Sequence, residues 1–157
     1  MMKKLFALLV LVFTCQVAFC QTYDELINNY KDKSYAEYNV MNKELISTTF
    51  ADDDAQTKAA LKNVDCMKML EFKQCDETIK KDFLTQAKKL EGKYNKFVDV
   101  NEDGETIIIF FDGDEELIKA IIIVLVNSKE CNMLVVEGKL SLLQLSYFLD
   151  FMGDTED

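Results

Sequence analysis

An aspartate-rich segment in the second half of the chain has the spacing of half a calcium-binding loop. Asp99, Asn101 and Asp103, followed by a glycine, fit the pattern D-x-[DN]-x-[DN]-G, in which carboxylate and amide oxygens coordinate the ion. The twelfth position of such a loop supplies a bidentate glutamate, but here it is Phe110. Asp-Gly is also a preferred sequence for the two-residue turn of a β-hairpin. We therefore expect a turn, with these three residues as weak calcium candidates only.

A second group of acids follows a short apolar segment. Its members are Asp112, Asp114, Glu115 and Glu116. The group is typical of a solvated loop whose charges discourage strand edges from pairing. The apolar segment between the two groups is a predicted strand, so they lie at its opposite ends and cannot easily share a metal ion. Paired carboxylates can serve a glycosidase, but nothing marks two of these acids as buried partners.

Two residue types that carry much of enzyme chemistry are missing from the 157 residues. There is no histidine, which excludes Ser-His-Asp and Cys-His nucleophiles and zinc sites that use histidine. There is no arginine, which excludes its bidentate recognition of carboxylate, phosphate or guanine. We predict that the protein is not an enzyme and has no catalytic residues, no cofactor and no metal site beyond the weak calcium candidates.

The charge balance disfavours anionic partners. The chain has 18 lysines and 28 acids, and its formal net charge of −10 repels nucleic acid and anionic membrane surfaces. We therefore predict no nucleic-acid partner. Charge of this sign is most often a solubility feature, and a cationic partner or a divalent cation is the remaining interpretation.

The first 20 residues have the organisation of a secretory signal peptide. Residues 1–4 are basic, residues 5–13 are uninterruptedly apolar, and Ala18 and Cys20 occupy the small-residue positions before a cleavage site at Gln21. The apolar stretch is too short for a membrane-spanning helix, and no later run reaches about 18 residues. We expect an exported protein with no transmembrane segment in the mature chain.

A lipoprotein is the main alternative at the N-terminus. Cys20 would then become the lipidated first residue and anchor the chain to a membrane. The residue before a lipidated cysteine is normally small, but here it is Phe19. An ordinary signal peptide is therefore the preferred interpretation, and a lipid anchor at Cys20 stays open.

Export changes how the remaining cysteines are interpreted. Cys66, Cys75 and Cys131 stay in the mature chain, and an odd number leaves at least one free thiol. The pattern favours three buried, small apolar side chains, and an oxidising compartment also permits a disulfide between Cys66 and Cys75. None is predicted to be catalytic, because no imidazole is present to activate a thiol.

Apolar periodicity and turn chemistry predict one α+β domain over residues 21–153, followed by an acidic tail at 154–157. The domain is expected to contain an antiparallel sheet with a C-terminal four-strand meander, helices packed on the sheet and a closing C-terminal helix. Helical signals mark residues 23–31, 42–50, 52–62, 76–90 and 141–152. Strand signals mark residues 35–41, 64–72, 97–100, 106–111, 117–126 and 133–136.

The strand at 117–126 contains seven consecutive apolar residues. Successive side chains point to opposite faces of a sheet, so both faces are apolar along this strand. The two rows are Ile121, Ile123 and Leu125 on one face, and Ala120, Ile122, Val124 and Val126 on the other. We predict that the helices at 76–90 and 141–152 cover the same face. One of the two rows should then contact the early helices, another subunit or a partner, rather than water.

Three segments of the mature chain resemble a known family. They are VDCMKMLEF with the lysine-bearing helix after it, YNKFVDVNEDGETIIIFF, and IIIVLV with MLVVEGKLSLLQLSYFL after a turn. Together they resemble the family catalogued as domain of unknown function 4252, short exported proteins of Gram-negative bacteria. The resemblance implies an α+β domain in the periplasm or cell envelope and no catalytic residues. Many relatives look like lipoproteins, from which this chain departs at Phe19.

These observations predict an exported cell-envelope protein that is non-catalytic and acts by binding or protein interaction. The expected partner is an unknown protein or a second copy of the chain, docked on an apolar face of the sheet. The alternative is an envelope lipoprotein that binds a hydrophobic ligand between helices and sheet. An apolar cavity above about 300 Å³ favours the ligand, while a well-packed interior with a flat apolar sheet face favours a protein partner.

Overall fold

Residues 21–153, the part of the chain that the computed structural model describes, contain six strands in one antiparallel sheet. The predicted signal peptide and acidic tail lie outside the described residues. The strands are β1 (Ala36–Asn42), β2 (Val64–Phe72), β3 (Asn95–Glu102), β4 (Glu105–Gly113), β5 (Ile118–Val126) and β6 (Cys131–Leu140). Their order across the sheet is β1-β2-β6-β5-β4-β3.

The same residues form five α-helices. These are α1 (Tyr23–Tyr30), α2 (Lys43–Thr49), α3 (Ala55–Leu61), α4 (Glu77–Lys88) and α5 (Leu145–Gly153). A 3₁₀ turn at Lys89–Gly92 extends α4, and another at Leu142–Gln144 precedes α5. The predicted α+β class, the antiparallel sheet and the closing C-terminal helix are confirmed.

Side-chain caps fix where α1 and α3 begin. The Thr22 hydroxyl accepts a hydrogen bond from the Glu25 N–H, and the Glu25 carboxylate accepts one from the Thr22 N–H, which completes a capping box on α1. The carboxylate of Asp54 accepts from the Thr57 N–H at 2.7 Å. Since Asp54 is the cap, α3 begins at Ala55, three residues after the predicted start at residue 52.

The chain crosses the sheet once and then returns strand by strand. After β2, α4 carries the chain to the far edge, where β3 begins, and β3 to β6 follow as consecutive antiparallel neighbours. This is the predicted four-strand meander. Its last strand pairs with β2, so the two strands before α4 and the four after it form one continuous sheet.

Helices α1 and α4 cover one face of the sheet. Leu26 of α1 and Phe83 of α4 are fully buried, and they share a core with Ile122 and Val124 of β5. Burial of each such side chain contributes about 1.5–3 kcal/mol to folding. We call this the α1/α4 core.

Helices α2, α3 and α5 cover the opposite face. Ile46 of α2, Leu61 of α3 and Phe148 of α5 share a second core with Ile121 and Ile123 of β5. We call this the α5 core. The alternating rows of β5 therefore point to opposite faces, as predicted.

The prediction that the helices at 76–90 and 141–152 share a face is wrong, because α4 and α5 lie in different cores. From Ile121 to Val124, no β5 side chain is more than 1% exposed, so each face of this strand needs its own layer of helices. The early helices also divide between the faces. One of the predicted alternatives was that a row of β5 packs with the early helices. Both rows do so, one with α1 and the other with α2 and α3.

A disulfide joins Cys75, just before α4, to Cys131, the first residue of β6. Cys66 is the free cysteine of the described residues. The expectations of three unpaired cysteines and of a Cys66–Cys75 bridge are both wrong. Cys66 lies near the start of β2, and the six residues from there to the end of the strand at Phe72 span about 20 Å. Cys131 lies beside that end, because β6 runs antiparallel to β2.

Within residues 21–153, none of the helices combines the length and the apolar character needed to cross a membrane.

Candidate functional site

The calcium-like segment is built as a tight β-hairpin. Glu102 of β3 pairs with Glu105 of β4, which leaves Asp103 and Gly104 as a two-residue turn. Both turn residues have positive φ, 52° and 80°, which is typical of a type I′ turn and the reason an Asp-Gly pair is favoured there. The predicted turn at this position is confirmed.

The three calcium candidates do not form a cluster of carboxylates. Asp99 and Asn101 lie within β3, and the Asp99 carboxylate is 3.3 Å from Nζ of Lys96. Among residues 21–153, no three Cys, Asp or Glu side chains are grouped so that they could hold a metal ion. The weak calcium affinity expected for Asp99, Asn101 and Asp103 stays a prediction.

The second acidic group forms the turn between β4 and β5. The Asp114 carboxylate accepts hydrogen bonds from the N–H groups of Glu116 at 3.0 Å and Leu117 at 2.9 Å, which organises the loop locally. The two acidic turns lie at opposite ends of β4, as expected. They therefore act as separate surfaces.

A polar cluster that the sequence did not reveal lies between α1 and the sheet. Nζ of Lys68, on β2, is 2.7 Å from Oε1 of Glu137 on β6 and 2.9 Å from Oδ1 of Asp24 on α1. The Tyr23 hydroxyl donates to the same Glu137 oxygen at 2.8 Å. Only 16% of the Lys68 side chain is exposed. Tyr23 and Asp24 are neighbours in the sequence, but the other pairs in this cluster are separated by 44 to 114 positions. No local sequence pattern could therefore have predicted the cluster.

The electrostatics of this cluster raise the pKa values of Lys68, Tyr23 and the nearby Cys66. Burial alone would lower the pKa of Lys68, but hydrogen bonds to Glu137 and Asp24 outweigh burial and raise that pKa. Burial and the hydrogen bond to Glu137 raise the pKa of Tyr23. Burial and the charge of Glu137 raise the pKa of the nearby Cys66 thiol. An ammonium, a phenol and a thiol are weak nucleophiles and weak bases, so the cluster is suited to holding α1 on the sheet.

An apolar groove lies on β4, between β3 and the 3₁₀ turn that precedes α5. Phe97, Phe111, Ile118 and Leu142 line a cavity of about 330 Å³ at one end, where the Phe97 and Phe111 ring centroids are 4.9 Å apart. Phe97 is 53% exposed and Leu142 is 41% exposed. We call this cavity the α5 groove.

A second cavity lies further along the same face of β4. It has a volume of about 280 Å³ and is lined by Ile107, Leu125 and Leu149, among others. Ile107 and Phe111 are four residues apart on β4, so both point to the face that α5 covers. α5 therefore leaves part of the apolar surface of β4 open.

Comparison of the sequence with protein families matches residues 30–148 to a domain of unknown function (DUF4252). The chain belongs to this family. The match confirms the resemblance seen in the sequence. No curated protein and no solved structure matches the chain.

The matched stretch defines which surfaces fall within the DUF4252 domain. Phe97 and Leu142 of the α5 groove lie inside it, as do Lys68 and Glu137 of the polar cluster. Residues 21–29, with most of α1, precede it. The description of the family gives no activity.

Proposed function

We propose that this DUF4252 protein is a non-catalytic binding protein of the bacterial cell envelope, and that the α5 groove receives a protein partner. The observation that carries the proposal is the exposure of Phe97 and Leu142 in one cavity. Large apolar side chains gathered in an open groove are typical of interaction sites, whereas single exposed ones are ordinary.

The envelope location is supported by two independent features. The first 20 residues have the order of a signal peptide. The Cys75–Cys131 disulfide is a bond that persists in oxidising compartments such as the periplasm and is rare in the cytosol. Together they favour export, with lipid attachment at Cys20 as the alternative form of the mature protein.

A protein partner suits the groove better than a small ligand does. Helices cover both faces of the sheet, and part of the apolar surface that they leave open lies in a groove between β3 and the 3₁₀ turn that precedes α5. Its volume is at the lower end of the range of about 300–1,000 Å³ for small-molecule sites. Leu143, which follows the groove residue Leu142, is 90% exposed and extends the apolar surface outward. Such a surface fits an apolar anchor side chain from another protein.

The charges around the α5 groove indicate the kind of partner. Asp114 and Glu115 line its rim. Lys96, the one lysine of the lining, is 3.2 Å from Glu91 and 3.3 Å from Asp99, so its charge is already paired. The expected partner therefore presents apolar side chains flanked by lysine or arginine, in keeping with the net charge of −10.

The titratable groups support a non-catalytic role. No histidine is present in the chain. Three of the partly buried groups, Lys68, Tyr23 and Cys66, have raised pKa values and stay protonated at neutral pH. General-base and nucleophilic catalysis both need a group that can give up its proton near neutral pH.

Binding and partner identity are tested in two steps. A photoreactive amino acid at position 143 marks proteins that contact the groove in intact cells, and mass spectrometry identifies them. The binding constant of the purified pair is then measured for wild type, Phe97→Lys and Leu45→Lys. Leu45 lies on α2, outside the groove lining, and is 47% exposed, so it is a matched control.

The expected result is a loss of affinity of about tenfold or more in Phe97→Lys, since an exposed apolar side chain of the groove is replaced by a positive charge that repels a basic partner. Leu45→Lys should bind as the wild type does. Equal affinity in all three proteins, or equal losses in both variants, would refute the groove as the docking site.

A hydrophobic ligand is the second candidate, favoured by the α5 groove volume of about 330 Å³. Displacement of a fluorescent fatty acid distinguishes the two. The ligand would be favoured if the fatty acid binds saturably, Phe97→Lys abolishes that binding, and the photoreactive residue at position 143 cross-links no protein.

A further inference from the structure

A small pocket between α2 and α3 combines three lysines with an apolar floor. Lys43 of α2, Lys58 of α3 and Lys62, just after α3, line a cavity of about 240 Å³. No carboxylate is among its lining residues. The lining therefore carries three positive charges and no negative one, although the chain has 28 acids and 18 lysines.

The floor of the pocket is part of the α5 core. Ile46, Leu61 and Val64 line it and are no more than 7% exposed, so their side chains are held in place by packing. Phe50, also in the lining, is half-buried. The pocket therefore offers a rigid apolar base beneath mobile ammonium groups.

The lysines are available to a ligand. Lys58 and Lys62 are one helical turn apart and face the same side, where like charges repel each other. Within the described residues, neither of them forms an ion pair. Lys43 is 3.5 Å from Asp65, but both side chains are at least 60% exposed, and an exposed pair of this kind is weak. An anion between the lysines would relieve the repulsion.

We propose that this pocket binds a small anionic amphiphile. A carboxylate or phosphate headgroup lies among the ammonium groups of Lys43, Lys58 and Lys62, and a short aliphatic chain packs on Ile46 and Leu61. Lysine ammonium groups act as point charges, so they can bind either a carboxylate or a phosphate headgroup. The volume lies below the range for drug-sized ligands, which restricts the chain to a short one.

This site is separate from the α5 groove. The two share no lining residue, and the groove rim carries Asp114 and Glu115 where this pocket carries lysines. The proposal therefore does not depend on the protein partner, and failure of one leaves the other intact.

Titration calorimetry of the folded chain at pH 7 tests the proposal with four probes. Hexanoate and hexyl phosphate carry both charge and chain, hexanol carries the chain alone, and acetate carries the charge alone. We expect the two amphiphiles to bind at least tenfold more tightly than hexanol or acetate. The stronger of the two identifies the headgroup.

The matched variants are Lys58→Gln/Lys62→Gln and Lys81→Gln/Lys88→Gln. The second pair lies on α4, over the opposite face of the sheet, and removes the same charge. The first pair should weaken binding about tenfold or more, and the second should leave it unchanged. All four substituted lysines are on the surface, and circular dichroism checks that both variants fold.

Two results would overturn the proposal. One is equal binding of hexanol and hexanoate, or hexanoate binding that Lys58→Gln/Lys62→Gln does not weaken. The other is binding to phosphatidylglycerol vesicles with no binding of free hexanoate or hexyl phosphate, because the lysines would then serve a membrane surface and not a pocket.

Discussion

Cys75 and Cys131 are 56 residues apart in the sequence and are joined by a disulfide, with their Cα atoms 6.1 Å apart. The bond ties the segment before α4 to the first residue of β6. It therefore closes a loop that contains α4 and the first three strands of the meander. In the unfolded chain this loop restricts the conformations that remain available.

Loss of this disulfide should lower the free energy of unfolding by about 4 kcal/mol, the value that the chain-entropy relation gives for a loop of this length. Urea unfolding of Cys75→Ala/Cys131→Ala measures the change. Cys66→Ala, which removes the free thiol, should alter stability far less. Wild-type stability in the double variant would contradict the assigned pairing.

The polar cluster around Lys68 should contribute more to the free energy of unfolding than a surface ion pair does. Lys68→Met leaves the carboxylates of Glu137 and Asp24 without their cation, which should destabilise the protein by about 1–3 kcal/mol. Lys43→Met breaks the exposed pair with Asp65 and should cost less than about 0.5 kcal/mol. Chemical unfolding compares the two, and equal effects would mean that the cluster does not hold α1 on the sheet.

Because of Lys68, the free energy of unfolding should fall at alkaline pH. Because its pKa is higher in the folded than in the unfolded state, its contribution is complete below its ordinary pKa of 10.5 and is lost as the pH rises above that value. Tyr23, with its raised pKa, adds a loss of the same sign above its ordinary value of 10.0. Between pH 8 and pH 11 the unfolding free energy should fall more in wild type than in Lys68→Met. Parallel curves would show that Lys68 plays no part.

The central strand β5 should not tolerate charge on either face. Ile122 and Ile123 are at most 1% exposed and lie in different cores. Each change to lysine buries an unpaired charge and should unfold the protein. Leu117→Lys, at a position that is 44% exposed, should stay folded. Circular dichroism and gel filtration decide, and a folded Ile122→Lys or Ile123→Lys would show that β5 is wrongly placed.

Calcium should bind no more tightly than the millimolar range of weak extracellular sites, because Phe110 occupies the position of the bidentate ligand. Calorimetry with calcium chloride measures this affinity. Micromolar binding that Asp103→Ala abolishes would contradict the expectation.

The mature protein should begin at Gln21 and carry no lipid. Intact-mass analysis of protein purified from its native cells measures this directly. A diacylglyceryl adduct on Cys20 would establish the lipoprotein alternative.

Local features of the fold could be predicted from the sequence because their causes lie within a few residues. The capping residues Thr22 and Asp76 begin α1 and α4, and Asp103 with its glycine makes the β3–β4 turn. The alternation of apolar residues predicted β2 over residues 64–72, which are also its bounds in the structure. The ends of β6 extend beyond the predicted residues 133–136, since pairing with β2 and β5 lengthens the strand.

The candidate sites depended on tertiary structure because their residues are distant in the chain. Phe97 and Leu142 meet only after β3 has been placed at the edge of the sheet and α5 on one face. In the same way, Lys68 finds Glu137 because β2 pairs with β6.

The sequence by itself determined the element types, the meander and the absence of histidine chemistry. The assignment of α4 and α5 to opposite faces was decided only by packing, since β5 is apolar at every position from Ala120 to Val126 and each of its two rows requires its own layer of helices. No local pattern records which helix goes to which face. The groove and the lysine pocket follow from that choice, because both are the spaces left where helices meet the sheet or one another.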